Sequence, residues 1–391
     1  MKSSLLKMKL LLAVLLALVA SSHARGAPRA DCVWNVNTIP DPSPLYIKIG
    51  GGFDLNGFWL PQTGDQVTVP EGTAIIFACP GGTLSGPGGT EATLTCIGGS
   101  SWQSSSGSTY SFSSLTCSRE PFHDARISAT KTCNINVPNT DLMEIGFELA
   151  NGDFYIIIET CFDTVNLDTL YTVHMQTPAI GGVQSGYPRP GWVQGPWYGN
   201  MDVDYQYSCT GQTEAFTIAL GSASLVNTYV DCGSDEFISR GHTTAKSDFV
   251  YGVHQRATFW FLNVAPQWQT VNGANWNTLE INTRALADTY PNDLWVWTGT
   301  HGVTTLPDIN GNDAELYIYY ENGVTPKLRV PEFFWRVVYD PVSQRGTAFV
   351  GMNNPHISTV TPVCPDVCDQ ITWETWNANN QANGFGYCCE V

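Results

Sequence analysis

Twelve cysteines punctuate this 391-residue chain, at Cys32, Cys79, Cys96, Cys117, Cys133, Cys161, Cys209, Cys232, Cys364, Cys368, Cys388 and Cys389. Whether they pair decides how tightly distant parts of the chain are tied, and the compartment decides whether they pair. Lys2, Lys7 and Lys9 precede an apolar run, Leu10 to Ala20, and Ser22-His23-Ala24 follows with small residues. This pattern predicts a signal peptide over 1–24 and a secreted protein. The run is too short to span a bilayer and no other stretch is long and apolar enough, so no membrane partner is expected. Cys364-x3-Cys368 with Cys388-Cys389 has a zinc-like spacing, but in an oxidising compartment two bridges are the better reading. The connectivity stays open.

A chain of this length, with 43% hydrophobic residues, can bury a large core and accommodate two domains. The region from 25 to 118 reads as a disulfide-rich β module. Val67 to Phe77 and Ala92 to Cys96 alternate as short strands broken by Gly and Pro, and Gly81 to Ser114 is rich in Gly, Ser and Thr. Its four cysteines, with Trp102 between the third and fourth, faintly resemble a sushi-type module; the plainer reading is a disulfide-stapled β domain packed on the main body. From 119 to 391, Glu144 to Thr160 reads as a hairpin turning at Asn151-Gly152. Strands are expected at Phe249 to Tyr251, Ala257 to Ala265, Leu294 to Trp297, Leu316 to Tyr320, Phe333 to Tyr339 and Ala348 to Val350. A helix is expected from Trp276 to Tyr290. The class is therefore α+β.

The net charge of −17 disfavours tight, non-catalytic binding of a polyanion. The charge is uneven, however. Between Arg240 and Arg284 stand Arg240, Lys246, Arg256 and Arg284 against only Asp248 and Glu280, a local balance of +2. Two pieces of sequence in this stretch carry chemistry. One is Ser239-Arg240-Gly241-His242. The other is Asn263-Val264-Ala265-Pro266-Gln267, leading into Asn272, Trp276, Glu280 and Arg284.

Hydrolysis of a phosphodiester needs a base, a cation for the developing charge and help for the leaving oxygen. His242 titrates in the right range for the base. Asn272 offers a hard oxygen to Mg²⁺, and Glu280 can hold one of the ion's waters. Arg240 and Arg284 can clamp phosphate oxygens. On a regular helix Glu280 lies about 80° and Arg284 about 120° from Asn272, so all three flank one side. Asn272 is expected at the helix start, as its cap, where the dipole favours phosphate. Taken singly, His242 reads first as a structural histidine, Asn272 as a plain N-cap and Glu280 with Arg284 as an ordinary surface pair; the joint pattern favours chemistry.

That joint pattern resembles the DNA/RNA non-specific endonuclease family, the Serratia-nuclease type. It resembles more closely still the secreted arthropod branch, such as shrimp nuclease and crab duplex-specific nuclease. The likeness continues through Thr298-Gly299, Phe334 to Val338, Asn353-Asn354-Pro355-His356 and the paired C-terminal cysteines. The resemblance implies a ββα-metal (His-Me finger) core around a central antiparallel sheet. It implies His242 as general base, Asn272 as direct Mg²⁺ ligand (Mn²⁺ substituting), Glu280 as ligand through water, and Arg240 and Arg284 on phosphate. Asn263 matches a site asparagine, and Arg189, in Tyr187-Pro188-Arg189-Pro190, is the candidate for an upstream phosphate-binding arginine. Expected substrates are DNA, duplex above all, and RNA, cut without base specificity to 5′-phosphate ends. Two departures stand out: Ser239 where many relatives carry Asp, and Thr243-Thr244 after the histidine. The alternative is a secreted saccharide- or protein-binding protein, with an unknown ligand on the N-terminal module and a degenerate nuclease domain. Other catalytic signatures are absent: there is no Gly-x-Ser-x-Gly, His-Glu-x-x-His or Gly-Lys-Ser/Thr phosphate loop. Asp308 to Asp313 reads as a turn.

Overall fold

Alternating apolar and polar residues on either side of Asn151-Gly152 build one hairpin of a large antiparallel sheet. Gly152 turns it in a left-handed conformation, φ +88°, which glycine adopts without strain. The computed structural model describes residues 30–391. The expected signal peptide over 1–24 lies outside the described residues.

In chain order the body begins with Asp124–Ile127 (β1), Thr140–Glu148 (β2), Phe154–Asp163 (β3) and Asp168–Gln176 (β4). A separate antiparallel pair follows, Ile238–His242 (β5) and Val264–Trp268 (β6). Helices are few: the longer ones are Cys209–Leu220 (α1) and Asn277–Thr289 (α2). Leu294–His301 (β7), Phe333–Asp340 (β8), Arg345–Met352 (β9) and Gly386–Glu390 (β10) complete the sheet. Its spatial order is β10-β9-β8-β7-β4-β3-β2-β1, eight strands paired antiparallel throughout. The fold is mixed and sheet-rich.

The period of two sends alternate side chains to opposite faces. Thr172, His174 and Gln176 of β4 and Arg336 of β8 face the β5–β6 unit. There Thr172 meets Thr244, and His174 and Arg336 meet Asp248. Tyr171, Val173 and Met175 of β4 and Trp295 and Trp297 of β7 face the other way.

Two expected strands are corrected. Phe249 to Tyr251 is an irregular buried stretch, and Ala257 to Ala265 is not one strand: Phe261–Asn263 forms a 3-10 turn and the strand begins only at Val264. A short apolar run signals burial, not strand geometry. Here side chains satisfy the backbone instead of a ladder: Asn263 Nδ2 donates to the Thr244 and Thr258 carbonyls, each at 2.9 Å.

The N-terminal strands form a five-stranded sheet, ordered 45–48, 74–78, 91–98, 101–104 and 109–111, and a two-stranded one, 32–35 with 66–69. Cys32–Cys96 and Cys79–Cys117 tie them together. Their core is continuous with that of the body. Tyr46 lies 5.6 Å from Tyr251, and Phe58 lies 4.4 Å from His254 and 5.5 Å from Tyr155, ring centre to ring centre. The remaining bridges are Cys133–Cys161, Cys209–Cys232, Cys364–Cys389 and Cys368–Cys388, so all twelve cysteines are paired. The last four form two disulfides rather than a zinc site. Asp308 closes the expected turn, its Oδ1 accepting from the Asn310 and Asn312 amides at 2.8 Å each.

Candidate active site

Two strands and the helix that follows them build the site. In the β5–β6 pair Arg240 lies opposite Pro266 and His242 opposite Val264. Gly241 between them cannot carry a side chain: a Cβ there would sit 2.6 Å from Gln267 Cβ. The close strand contact thus accounts for the glycine of Arg-Gly-His.

After β6 the chain turns into helix at Gln269–Val271, passes through a π turn at Asn272–Trp276 and continues as α2. The expectation that Asn272 caps this helix is corrected. Trp268 is the cap, and Asn272 is already helical at φ −58°, ψ −45°. The helix begins earlier because Trp268 is the last extended residue of β6. Asn272, four residues past the cap, does not sit at the anion-favouring end of the helix. A π turn is a common device at functional sites, because one inserted residue re-aims the side chains around it.

Arg189, Arg240, His242, Asn272, Glu280 and Arg284 line one cleft of about 380 Å³, together with Lys246 and Asn277. Asn263 does not join them. Its amide is fully buried and used up: besides the two bonds it donates, Oδ1 accepts from Thr243 Oγ1 at 3.0 Å and from the Thr244 amide at 2.9 Å. The expected catalytic place for Asn263 is therefore corrected to a brace for the segment that leaves His242.

His242 is buried between Trp192 and Phe259, with ring centres at 4.9 and 5.1 Å, and its Nε2 has no partner among the described residues. Burial, then the positive charge of Arg189, lower its pKa to about 3 against the opposing pull of Asp248, so the imidazole is neutral at physiological pH. Asn272 Nδ2 donates to Ser239 Oγ at 3.0 Å, and Ser239 Oγ donates to the Gln267 carbonyl at 2.9 Å. Glu280 is half-buried in the cleft. Burial, then the charge of Asp248, push its pKa up to about 7 in spite of Arg336 and Arg284. The i,i+4 pair with Arg284 does not form. Arg284 Nη1 instead meets Asp248 Oδ1 at 3.0 Å.

The guanidinium of Arg189 stands 5.2 Å over the Phe259 ring. Arg240 is ion-paired to Asp204 and stands 5.2 Å over Tyr207. Lys246 donates to the Tyr187 carbonyl, anchoring the loop that carries Arg189.

A sequence model of the DNA/RNA non-specific endonuclease family matches residues 138–391 of this chain. The chain belongs to that family. It is a nuclease, and its relatives include insect salivary proteins. The salivary endonuclease of Lutzomyia longipalpis is 29% identical over 97% of this chain and 87% of that protein. The salivary protein Tsal1 of Glossina morsitans morsitans is 22% identical over 84% and 80%. The salivary endonuclease of Culex quinquefasciatus is 24% identical over 70% and 72%. A solved EndoG/EndoGI complex aligns with 56% of this chain and 81% of its own at TM-score 0.36 and 19% identity, too loose a likeness to support an argument.

Sequence reasoning overlooked four residues that shape the nuclease cleft. In the sequence Asp248 shows only as a charge. It is wholly buried and accepts from Arg336 at 3.1 Å, Arg284 at 3.0 Å and the Ala245 amide at 3.2 Å, with His174 Nε2 at 3.3 Å. Lys246 and Asp204 engage the loop of Arg189 and the head of Arg240. Trp192 walls His242. Asp248, six residues after His242, carried a usable signal: an acid in an apolar stretch must be paired if it is buried.

Proposed function

We propose that this nuclease is a secreted, Mg²⁺-dependent endonuclease that hydrolyses phosphodiesters of DNA, duplex DNA above all, and of RNA, without regard to base sequence and with 5′-phosphate ends. The observation that carries the reading is the convergence in one cleft of a neutral buried histidine, two free oxygen donors and three arginines. Six disulfides and salivary relatives support an extracellular setting.

The donor set fits a hard cation. Asn272 commits its Nδ2 to Ser239, which leaves Oδ1 for the cleft, and Glu280 keeps a carboxylate there with no ion pair among the described residues. Asn272 would hold Mg²⁺ directly and Glu280 through water; Mn²⁺ presents the same hard character. When bound, the ion supplies charge neutralisation at the phosphate and Lewis-acid help to the leaving 3′ oxygen.

The chain's own residues do the rest. Arg189, Arg240 and Arg284 bind and orient the phosphate. His242 takes a proton from the attacking water. A bound phosphate offsets the charges of Arg189 and Lys246, two of the groups that hold the imidazole low, and so raises its basicity when substrate is present. Trp192 and Phe259 fix the ring and keep bulk water from it.

Plasmid cleavage by wild type and His242→Ala, with and without EDTA, tests the reading. Loss of cutting in the variant and in EDTA is expected. Equal cutting by both proteins, or cutting unaffected by EDTA, ends the assignment.

A further inference from the structure

The sheet face turned away from the nuclease cleft carries a groove of its own. His174 of β4 points to Asp248 and the cleft, so Val173 and Tyr171 point the opposite way, as do Trp295 and Trp297 on the neighbouring β7. Two adjoining cavities of about 450 and 700 Å³ lie along this face, sharing Thr130, Lys131, Glu159, Val173 and Trp295. Together they run from β1 to β8, five strand spacings or about 24 Å. The floor is aromatic: Tyr171, Trp295, Trp297 and Tyr339 are all half-buried. Trp297 lies 6.2 Å from both Trp295 and Tyr339, with planes tilted by 40° and 68°. Half-buried aromatic rings lining a concave groove suit ligand contact.

The charges in the groove narrow the choice of ligand. Its two cationic side chains pair with Glu144 and Glu159, Arg126 at 2.8 Å from Glu144, while Asp54 and Asp153 line the same groove without an ion pair among the described residues, so the lining is net negative. That excess of negative charge repels a polyanion, which disfavours a second nucleic-acid site. A protein partner would have to desolvate four carboxylates set against only two cations, which is costly. A polyhydroxylated ligand avoids both problems. Its hydroxyls hydrogen-bond the paired carboxylates and Asn134, while its C–H faces pack on tilted indole and phenol rings. We propose that this groove is a binding site for a neutral oligosaccharide several sugar rings long, separate from the nuclease cleft.

The test uses the full-length protein with cellohexaose, chitohexaose and mannohexaose, read by titration calorimetry and tryptophan emission. At least one of the three is expected to bind and shift the emission. Trp295→Ala and Trp297→Ala should weaken that binding by about tenfold or more, a loss of about 1.4 kcal/mol. Glu159→Gln, which leaves the aromatic floor intact, should weaken it less. Unchanged plasmid cutting by each variant shows that the chain is folded. The proposal is overturned if none of the three hexasaccharides binds at millimolar concentration, or if the folded variants bind as well as wild type. It is also overturned if Trp295→Ala instead abolishes self-association in sedimentation, or abolishes binding of heparin.

Discussion

Asn272 Nδ2 and Ser239 Oγ lie 3.0 Å apart, and that contact decides which end of the asparagine amide faces the cleft. Ser239 commits its own proton to the Gln267 carbonyl, so its oxygen can only accept from Asn272. Removing the hydroxyl frees the amide to turn its NH₂ toward a cation. Ser239→Ala should therefore raise the Mg²⁺ concentration needed for half-maximal cutting by about tenfold, the usual size of an effect on the groups that orient a ligand. Ser239→Asp, an acceptor at the same place, should restore it. Mn²⁺ binding followed by electron paramagnetic resonance, without substrate, checks the assignment. If Ser239→Ala binds Mn²⁺ like wild type, Ser239 does not orient Asn272.

The cleft's arginines depend on one carboxylate. Burial alone would raise the pKa of Asp248, but Arg336, His174 and Arg284 outweigh it and hold the group well below the usual carboxylate range. Asp248→Asn leaves Arg336, fully buried, without its counter-charge. Breaking a buried pair in this way costs about 3–5 kcal/mol. Denaturant unfolding should register a loss of that order, and single-turnover cutting should fall because Arg284 loses its anchor. A variant as stable as wild type would show that the Asp248 contacts are not the brace described here.

Much of this was legible in the sequence, for physical reasons that differ from residue to residue. Arg-Gly-His was readable because the strand contact at Gly241 admits no side chain and because few residues suit the work of His242. The hairpin at Asn151-Gly152 was readable because its turn demands a positive φ. Asn263 misled because an asparagine that saturates four backbone and side-chain groups looks, in one dimension, like an asparagine that binds a ligand. Phe249 to Tyr251 misled because burial on all sides leaves the same apolar signature as a central strand. Asp204 and Trp192 were invisible because they reach Arg240 and His242 only through the fold, from 36 and 50 residues away in the chain.

Asp204 lies at the lip of the cleft, its side chain 68% exposed, and occupies Arg240 as a phosphate oxygen would. Substrate must displace it. Asp204→Asn should lower KM for short duplex DNA about two- to fivefold at low salt, the range of an exposed ion pair. The difference should shrink toward physiological ionic strength as screening weakens the pair. An unchanged KM at low salt would mean that phosphate does not compete for Arg240.

Acid should unfold this protein through its buried histidines. His254 sits among Phe58, Phe147, Phe249 and Tyr251, and neither ring nitrogen has a partner among the described residues. Burial lowers its pKa to about 3, and burial with the charge of Arg256 lowers that of His123 to about 4. In the unfolded chain both return to about 6.5. Their folded pKa values are depressed, so the unfolded state binds more protons between the two limits. The stability they support is complete above about pH 6.5 and is lost as pH falls toward 3 to 4. Melting temperature should decline steadily from pH 6.5 to pH 4. His254→Leu, which forfeits no hydrogen bond, should unfold with one proton fewer taken up and a shallower decline. Parallel curves for the two proteins would mean that His254 is already protonated in the fold, with a counter-charge beside it, contrary to its apolar surroundings.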